Sequence, residues 1–188
     1  RQVSATLARD IARRLPPDVL TVGVFRDELP DRVVDIVSSA GLRAAQLHGH
    51  ETAPQTAWVR QRVPFVIKAF VAGDPEIERF DEYGADALLI DAEQPGSGEV
   101  FDWTLTEGAP AGRRVIVAGG LTPDTVAAAV EVVRPWGVDV ASGVEVDGGE
   151  PGQKDARRVR AFIAAARAAD PGPYHGRADM PYDWMEER

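Results

Sequence analysis

Residues 115–130, VIVAGGLTPDTVAAAV, place a strand, a glycine pair and a helix start in one short run. Val115, Ile116, Val117 and Ala118 make an apolar stretch of the length that a strand buried in a parallel sheet requires. Gly119 and Gly120 end it, Leu121 and Thr122 follow, and Pro123 stands where a first helical turn accepts proline. From Asp124 an alanine- and valine-rich helix is expected to run to about Arg134. Glycines let a backbone approach a ligand closely, and the unbonded N–H groups of a helix start favour an anion. Tight βα turns also use glycine for steric reasons alone, so this unit by itself leaves both readings open.

The next unit repeats the arrangement. In GVDVASGVE, residues 137–145, Val138, Val140 and Ala141 read as another short strand, closed by Ser142-Gly143 and then Val144-Glu145. In a (β/α)8 barrel the loops after strands seven and eight commonly form a phosphate site, and active sites sit at the C-terminal strand ends. Together the two turns point to a phosphorylated ligand on Gly119, Gly120, Ser142 and Gly143.

Outward from these units the chain alternates helix and strand. Residues 4–15 (SATLARDIARRL) carry Leu7, Ile11 and Leu15 at intervals of four, an amphipathic helix with Ser4 as its N-cap, stopped by Pro16-Pro17. Residues 19–25 read as a strand, 31–39 as a helix entered through Pro30, and 43–47 as a strand ending in His48-Gly49. Then come a helix over 52–63 with Trp58 on its packing face, a strand over 65–70 and a helix over 75–83. A strand over 87–91 precedes a glycine-rich loop over 93–100 and a short helix around 102–105. The last helix is expected over 154–168. Strict alternation means a parallel sheet with helices outside it. A doubly wound sheet and a barrel both fit, but no G-x-G-x-x-G follows any strand. The leading helix reads as the second half of a βα unit. The expectation is therefore an α/β fold, a (β/α)8 TIM barrel with about six of its eight βα units present, the first two strands preceding residue 1. Residues 1–169 form that domain, and 170–188 (DPGPYHGRADMPYDWMEER) are an extension without helical period.

Composition narrows the function. The 188 residues are 44% hydrophobic and 27% charged, ordinary for a globular domain, with a formal charge of −9. That balance argues against nucleic-acid or anionic-membrane partners, which need clustered Lys and Arg, but leaves room for a local anion cradle. No apolar run has the length of a membrane span, and none resembles a signal peptide. There is no cysteine, hence no disulfide framework or thiolate metal site. A cytoplasmic enzyme, monomer or homodimer, is the expectation.

Asp91 ends the apolar run Leu88-Leu89-Ile90, where a barrel keeps catalytic groups. A carboxyl set against apolar neighbours suits a general acid near neutral pH; the plainer reading is a cap on the following loop. His48 ends another strand and is assigned a supporting, substrate-binding role. Lys68, inside FVIKAF, is a charge in a buried strand and needs a partner. An internal ion pair is favoured over a Schiff-base lysine, with Asp139 as the first candidate partner. Gly96-Ser97-Gly98 reads as a loop able to close over a ligand, or as an ordinary flexible loop. Trp103 and Trp136 read as packing residues.

VGVF (22–25), QLHG (46–49), VIKAF (66–70), LLID (88–91), the GSG-x-x-FDW run (96–103), AGGLTPDTV (118–126) and RPWGVDVASGVE (134–145) together resemble phosphoribosylanthranilate isomerase of tryptophan biosynthesis. The resemblance runs from Arg1 to about Ala168. It implies a (β/α)8 barrel that turns N-(5′-phosphoribosyl)anthranilate into 1-(2-carboxyphenylamino)-1-deoxyribulose 5-phosphate by an Amadori rearrangement, with no metal or organic cofactor. It puts the general acid on Asp91, the substrate phosphate on Gly119-Gly120 and Ser142-Gly143, and the anthranilate carboxylate near Arg1. The family's general base is a cysteine in a K-I-C-G motif at the end of the first strand, which these residues do not contain. The functional protein is accordingly expected to carry ~30–40 further N-terminal residues, about one βαβ unit. A catalytically silent phosphate-binding relative is the alternative. A different phosphosugar barrel, such as an epimerase or an indole-forming lyase, is the third reading.

Overall fold

Each long apolar run of the sequence becomes a strand, and each amphipathic run a helix, in a computed structural model of the protein that describes residues 2–91 and 112–169. In chain order the elements are α1 (Ala5–Ala12), β1 (Val22–Phe25), α2 (Pro30–Ala40), β2 (Ala44–Leu47), α3 (Ala53–Arg60) and β3 (Phe65–Val71). A 3-10 turn (Pro75–Arg79) leads into α4 (Phe80–Tyr83), β4 (Ala87–Asp91), β5 (Val115–Ala118) and α5 (Val126–Val133). A two-residue β6 (Gly137–Val138), a second 3-10 turn (Ser142–Val144) and α6 (Ala156–Ala168) complete the described chain. The strand order is β1-β2-β3-β4-β5-β6, the order of the sequence. β1–β2, β2–β3 and β5–β6 pair in parallel, and wherever the connecting chain is described a helix joins one strand to the next, the connectivity of a βα-barrel sheet.

The described residues divide into two compact units, one of residues 2–70 and 79–88, the other of 71–78, 89–91 and 112–169. In the first, β1, β2 and β3 pair in parallel, with Val22 opposite Ala44 and Ala44 opposite Phe65. β2 is buried throughout and β3 up to Phe70, because both faces of a parallel strand are covered. Phe25, Val33, Val37, Leu47, Val59 and Val66 form the centre of this unit's core, and Trp58 packs against it as expected. Asp86 clasps the start of β4 to β3: its carboxylate accepts the Val66 N–H at 2.8 Å and its own N–H donates to the Val66 carbonyl at 2.8 Å. In the second unit β5 and β6 pair in parallel, Ile116 opposite Gly137. Leu121, Val126, Val130, Val144 and Phe162 form its core.

Several element ends differ from the sequence expectation, each for a local reason. α1 stops at Ala12, short of the expected 15, but Ser4 caps it as read, its hydroxyl accepting the Leu7 N–H at 3.2 Å. β1 begins at Val22 rather than 19 because Val19 N–H closes a turn onto the Pro16 carbonyl. The helix expected over 75–83 splits at Arg79 into a 3-10 turn and one α-turn. β6 ends at Val138, although Asp139 N–H still donates to the Val117 carbonyl at 2.8 Å. α6 starts at Ala156, capped by Asp155, so Lys154 stands outside it. The apolar stripe of α1 is not a buried face here: Leu7 and Ile11 remain 48% and 49% exposed. The loop over 93–100, the helix around 102–105, Trp103 and the 170–188 extension lie outside the described residues.

Candidate active site

Asp91 is the last residue of β4. Ala87, Leu88, Leu89 and Ile90 before it are buried, and Asp91 itself is half-buried. The strand therefore delivers a carboxylate from an apolar interior to its C-terminal end. Its backbone is held there by the Ala72 N–H, which donates to the Asp91 carbonyl at 2.9 Å.

The same unit contains both glycine turns. Gly119 and Gly120 adopt φ of 93° and 63°, values that side-chain-bearing residues rarely adopt. Among the described residues neither of their N–H groups donates to a backbone carbonyl outside regular structure. The helix start behind them is different from the expectation. Thr125 Oγ1 accepts the Thr122 N–H at 3.0 Å, and Thr122 Oγ1 accepts the Asp124 N–H at 3.3 Å. These hydroxyls occupy donors preceding α5, so the start of that helix is not a bare terminus. Gly143 of the second turn lies against the first: a Cβ placed on it would overlap the Leu121 carbonyl oxygen. The two turns after β5 and β6 are thus one contiguous backbone surface.

In the other unit, the ends of β1, β2 and β3 converge on Glu51. Its carboxylate accepts N–H groups from Asp27 and Gly49, both at 2.9 Å, and meets Lys68 Nζ at 3.1 Å. The Lys68 and Glu51 side chains are 2% and 4% exposed. Lys68 also donates to the Gly49 carbonyl at 2.7 Å and the Ala69 carbonyl at 3.1 Å, so the buried ammonium is fully engaged. The expected internal ion pair exists, but its carboxylate is Glu51 and not Asp139. A carboxylate a few residues past β2 in the chain is placed beside β3 by parallel pairing, which spacing in the sequence does not reveal. Asp27, with φ of 55°, accepts the His50 N–H at 2.6 Å. That backbone hydrogen bond, with further contributions from the His50 ring and Arg26, holds the Asp27 carboxyl below its ordinary pKa despite some desolvation.

His48 follows β2 directly, and its N–H donates to the Phe25 carbonyl at 2.7 Å. Its Nδ1 lies 2.8 Å from Nε2 of the buried Gln46. With the amide nitrogen donating, Nδ1 is the acceptor of that contact. Arg1, Gly96, Ser97 and Gly98 lie outside the described residues. Of the residues assigned from sequence, Asp91, Gly119, Gly120, Ser142 and Gly143 fall in one unit and His48 in the other. Glu51, Lys154 and Arg158 escaped the sequence reading. All three are charged residues in polar surroundings, indistinguishable there from solvated ones.

The sequence model described as N-(5'phosphoribosyl)anthranilate (PRA) isomerase matches residues 1–165. The chain belongs to that family. A relative from Desulforudis audaxviator named N-(5'-phosphoribosyl)anthranilate isomerase is 47% identical over 176 residues, covering 90% of this chain and 83% of its own. The crystal structure of phosphoribosyl anthranilate isomerase from Thermus thermophilus superposes with a TM-score of 0.77 at 39% identity, over 89% of this chain and 82% of that one. A further isomerase structure, solved in complex with reduced 1-(o-carboxyphenylamino)-1-deoxyribulose 5-phosphate, gives 0.74 at 36% identity, over 88% and 80%. The isomerase family is a (β/α)8 barrel family, and the six consecutive parallel strands here are a part of that barrel. No helix among the described residues is long and apolar enough to cross a membrane.

Proposed function

We propose that this protein isomerises N-(5′-phosphoribosyl)anthranilate to 1-(2-carboxyphenylamino)-1-deoxyribulose 5-phosphate, an aldose–ketose rearrangement of tryptophan biosynthesis. The observation that carries the reading is the family match over residues 1–165, with Asp91 at the end of a strand whose other residues are buried. Asp91 is the general acid: it protonates the furanose ring oxygen as the C–O bond opens and a Schiff base forms at C1′. Loss of the C2′ proton then gives an enolamine that tautomerises to the ketose. Residues 1–188 hold no cysteine, so the family's base is assigned to none of them.

The substrate phosphate lies on the N–H groups of Gly119, Gly120, Ser142 and Gly143, where backbone dipoles replace its water. His48 donates from Nε2 to the sugar, Arg1 meets the anthranilate carboxylate, and Gly96-Ser97-Gly98 close over the bound molecule. Residues 1–169 are the barrel domain and 170–188 an extension of it. The protein works in the cytoplasm, as a monomer or homodimer, on this small molecule and not on nucleic acid.

A silent phosphate-binding relative is the second reading. Substrate fluorescence separates the two. With micromolar protein and freshly made N-(5′-phosphoribosyl)anthranilate, the isomerase consumes the fluorescence faster than spontaneous hydrolysis, and inorganic phosphate slows it. Phosphate binding without any acceleration would leave the silent relative.

A further inference from the structure

The turn that closes β6 is held from behind. Lys154 Nζ donates to the Ala141 carbonyl at 2.7 Å, Glu145 N–H donates to the Ser142 carbonyl at 2.9 Å, and Arg158 Nε donates to the Gly143 carbonyl at 3.2 Å. Three consecutive carbonyls therefore have fixed donors. In a trans peptide the C=O and N–H vectors point in opposite directions. Fixing the Ala141 and Ser142 carbonyls consequently fixes the N–H groups of Ser142 and Gly143 on the other side. Neither of these two groups has a backbone partner within the 3-10 turn. Each cation also has a carboxylate partner: Lys154 meets Glu145 Oε1 at 2.8 Å, and Arg158 meets Asp147 at 2.7 Å. The backbone of residue 154 is tied down as well, through the bridge between Glu145 and Lys154.

We infer that Lys154 and Arg158 are positioning residues for phosphate, acting through the peptides of the Ala141–Val144 turn without touching the ligand. This rests on the reading of Ser142-Gly143 as part of the phosphate cradle. Two effects follow from the geometry. The peptides are pre-oriented, so a phosphate does not have to order them on binding. The Lys154 ammonium on the Ala141 carbonyl also polarises that peptide, which makes the Ser142 N–H at its far end a stronger donor, while Arg158 on the Gly143 carbonyl holds the far side of the turn. Glu145 and Asp147 hold each cation in place and keep it from turning toward the ligand.

The test is titration of the intact protein with inorganic phosphate by calorimetry, alongside steady-state turnover. Lys154→Met keeps the stem and removes the charge. It raises the phosphate dissociation constant and KM by about tenfold, the scale of one charge-assisted hydrogen bond, while kcat falls less. Lys154→Arg restores most of the phosphate affinity. Competitive inhibition by anthranilate, which carries no phosphate, stays within about twofold of wild type. Arg158→Met, which frees the Gly143 carbonyl at the far side of the turn, gives a split in the same direction but smaller, so the result does not hang on one variant. Equal losses toward phosphate and anthranilate, or no loss toward phosphate, would overturn the inference. So would a wild-type protein that does not bind phosphate. A wild type that binds phosphate, with affinity dependent on Lys154, but turns nothing over upholds this inference and removes the isomerase reading alone.

Discussion

Glu51 and Lys68 show how one buried pair can join three strand ends. Each is desolvated, and each is engaged by more than its partner, which is the condition under which a buried ion pair is tolerated. Removing one member strands the other's charge. Lys68→Met is expected to lower the unfolding free energy in urea by about 3–5 kcal/mol, and the double variant Glu51→Gln/Lys68→Met by less than the sum. Additive losses would mean the two do not act as a pair. Asp27, which is exposed, sets a pH dependence. Its pKa is depressed in the folded state, so its contribution to stability is present above the ordinary carboxylate range and is lost as pH falls through the lowered value. Urea midpoints of wild type and Asp27→Asn should therefore differ at neutral pH and converge toward strongly acidic pH. At this scale the sequence was a partial guide. The charge at Lys68 stood out because it interrupts FVIKAF, whereas Glu51, in HGHET, has nothing apolar around it to mark it as buried.

The elements were more legible than their ends. Apolar runs announced β2 through β5, and Gly, Pro and Ser/Thr punctuation announced most helix starts, since these signals come from local sterics and hydrogen bonding. The ends that moved did so through turn hydrogen bonds, such as Val19 to Pro16, that periodicity does not encode. The shortness of β6 belongs here too: apolar residues continue past Val138, but the chain must turn at Ser142 to meet the β5 turn. Two substitutions probe that junction. Gly143→Ala places a methyl group into the Leu121 carbonyl, and is expected to cost about 1–3 kcal/mol of stability together with most of the phosphate affinity. Asp155 caps α6 by accepting the Arg157 N–H at 2.7 Å. Asp155→Ala should cost about 0.5–2 kcal/mol, read by thermal unfolding. It should weaken phosphate binding less than Lys154→Met, because the cap holds the helix and only indirectly the turn.

Across the whole chain, fold class was readable because alternation of short apolar runs with amphipathic ones leaves few architectures, and the missing dinucleotide fingerprint removed the main competitor. The strand order agrees with that reading. The layout of the candidate site was readable where it coincides with a strand end, as in the placement of Asp91 and of the two glycine turns. It was not readable where charged side chains act on backbone from behind, as Lys154 and Arg158 do. The net charge of −9 makes such local cation placement the more informative, because the protein as a whole repels anions. The central claim is that this isomerase-family chain uses Asp91 as the acid that opens the sugar ring. The direct measurement is turnover of N-(5′-phosphoribosyl)anthranilate by Asp91→Asn beside wild type, with phosphate affinity recorded for both. A fall in kcat of about 10²–10⁴-fold with phosphate binding intact is the predicted result. Turnover within a few-fold of wild type would contradict it.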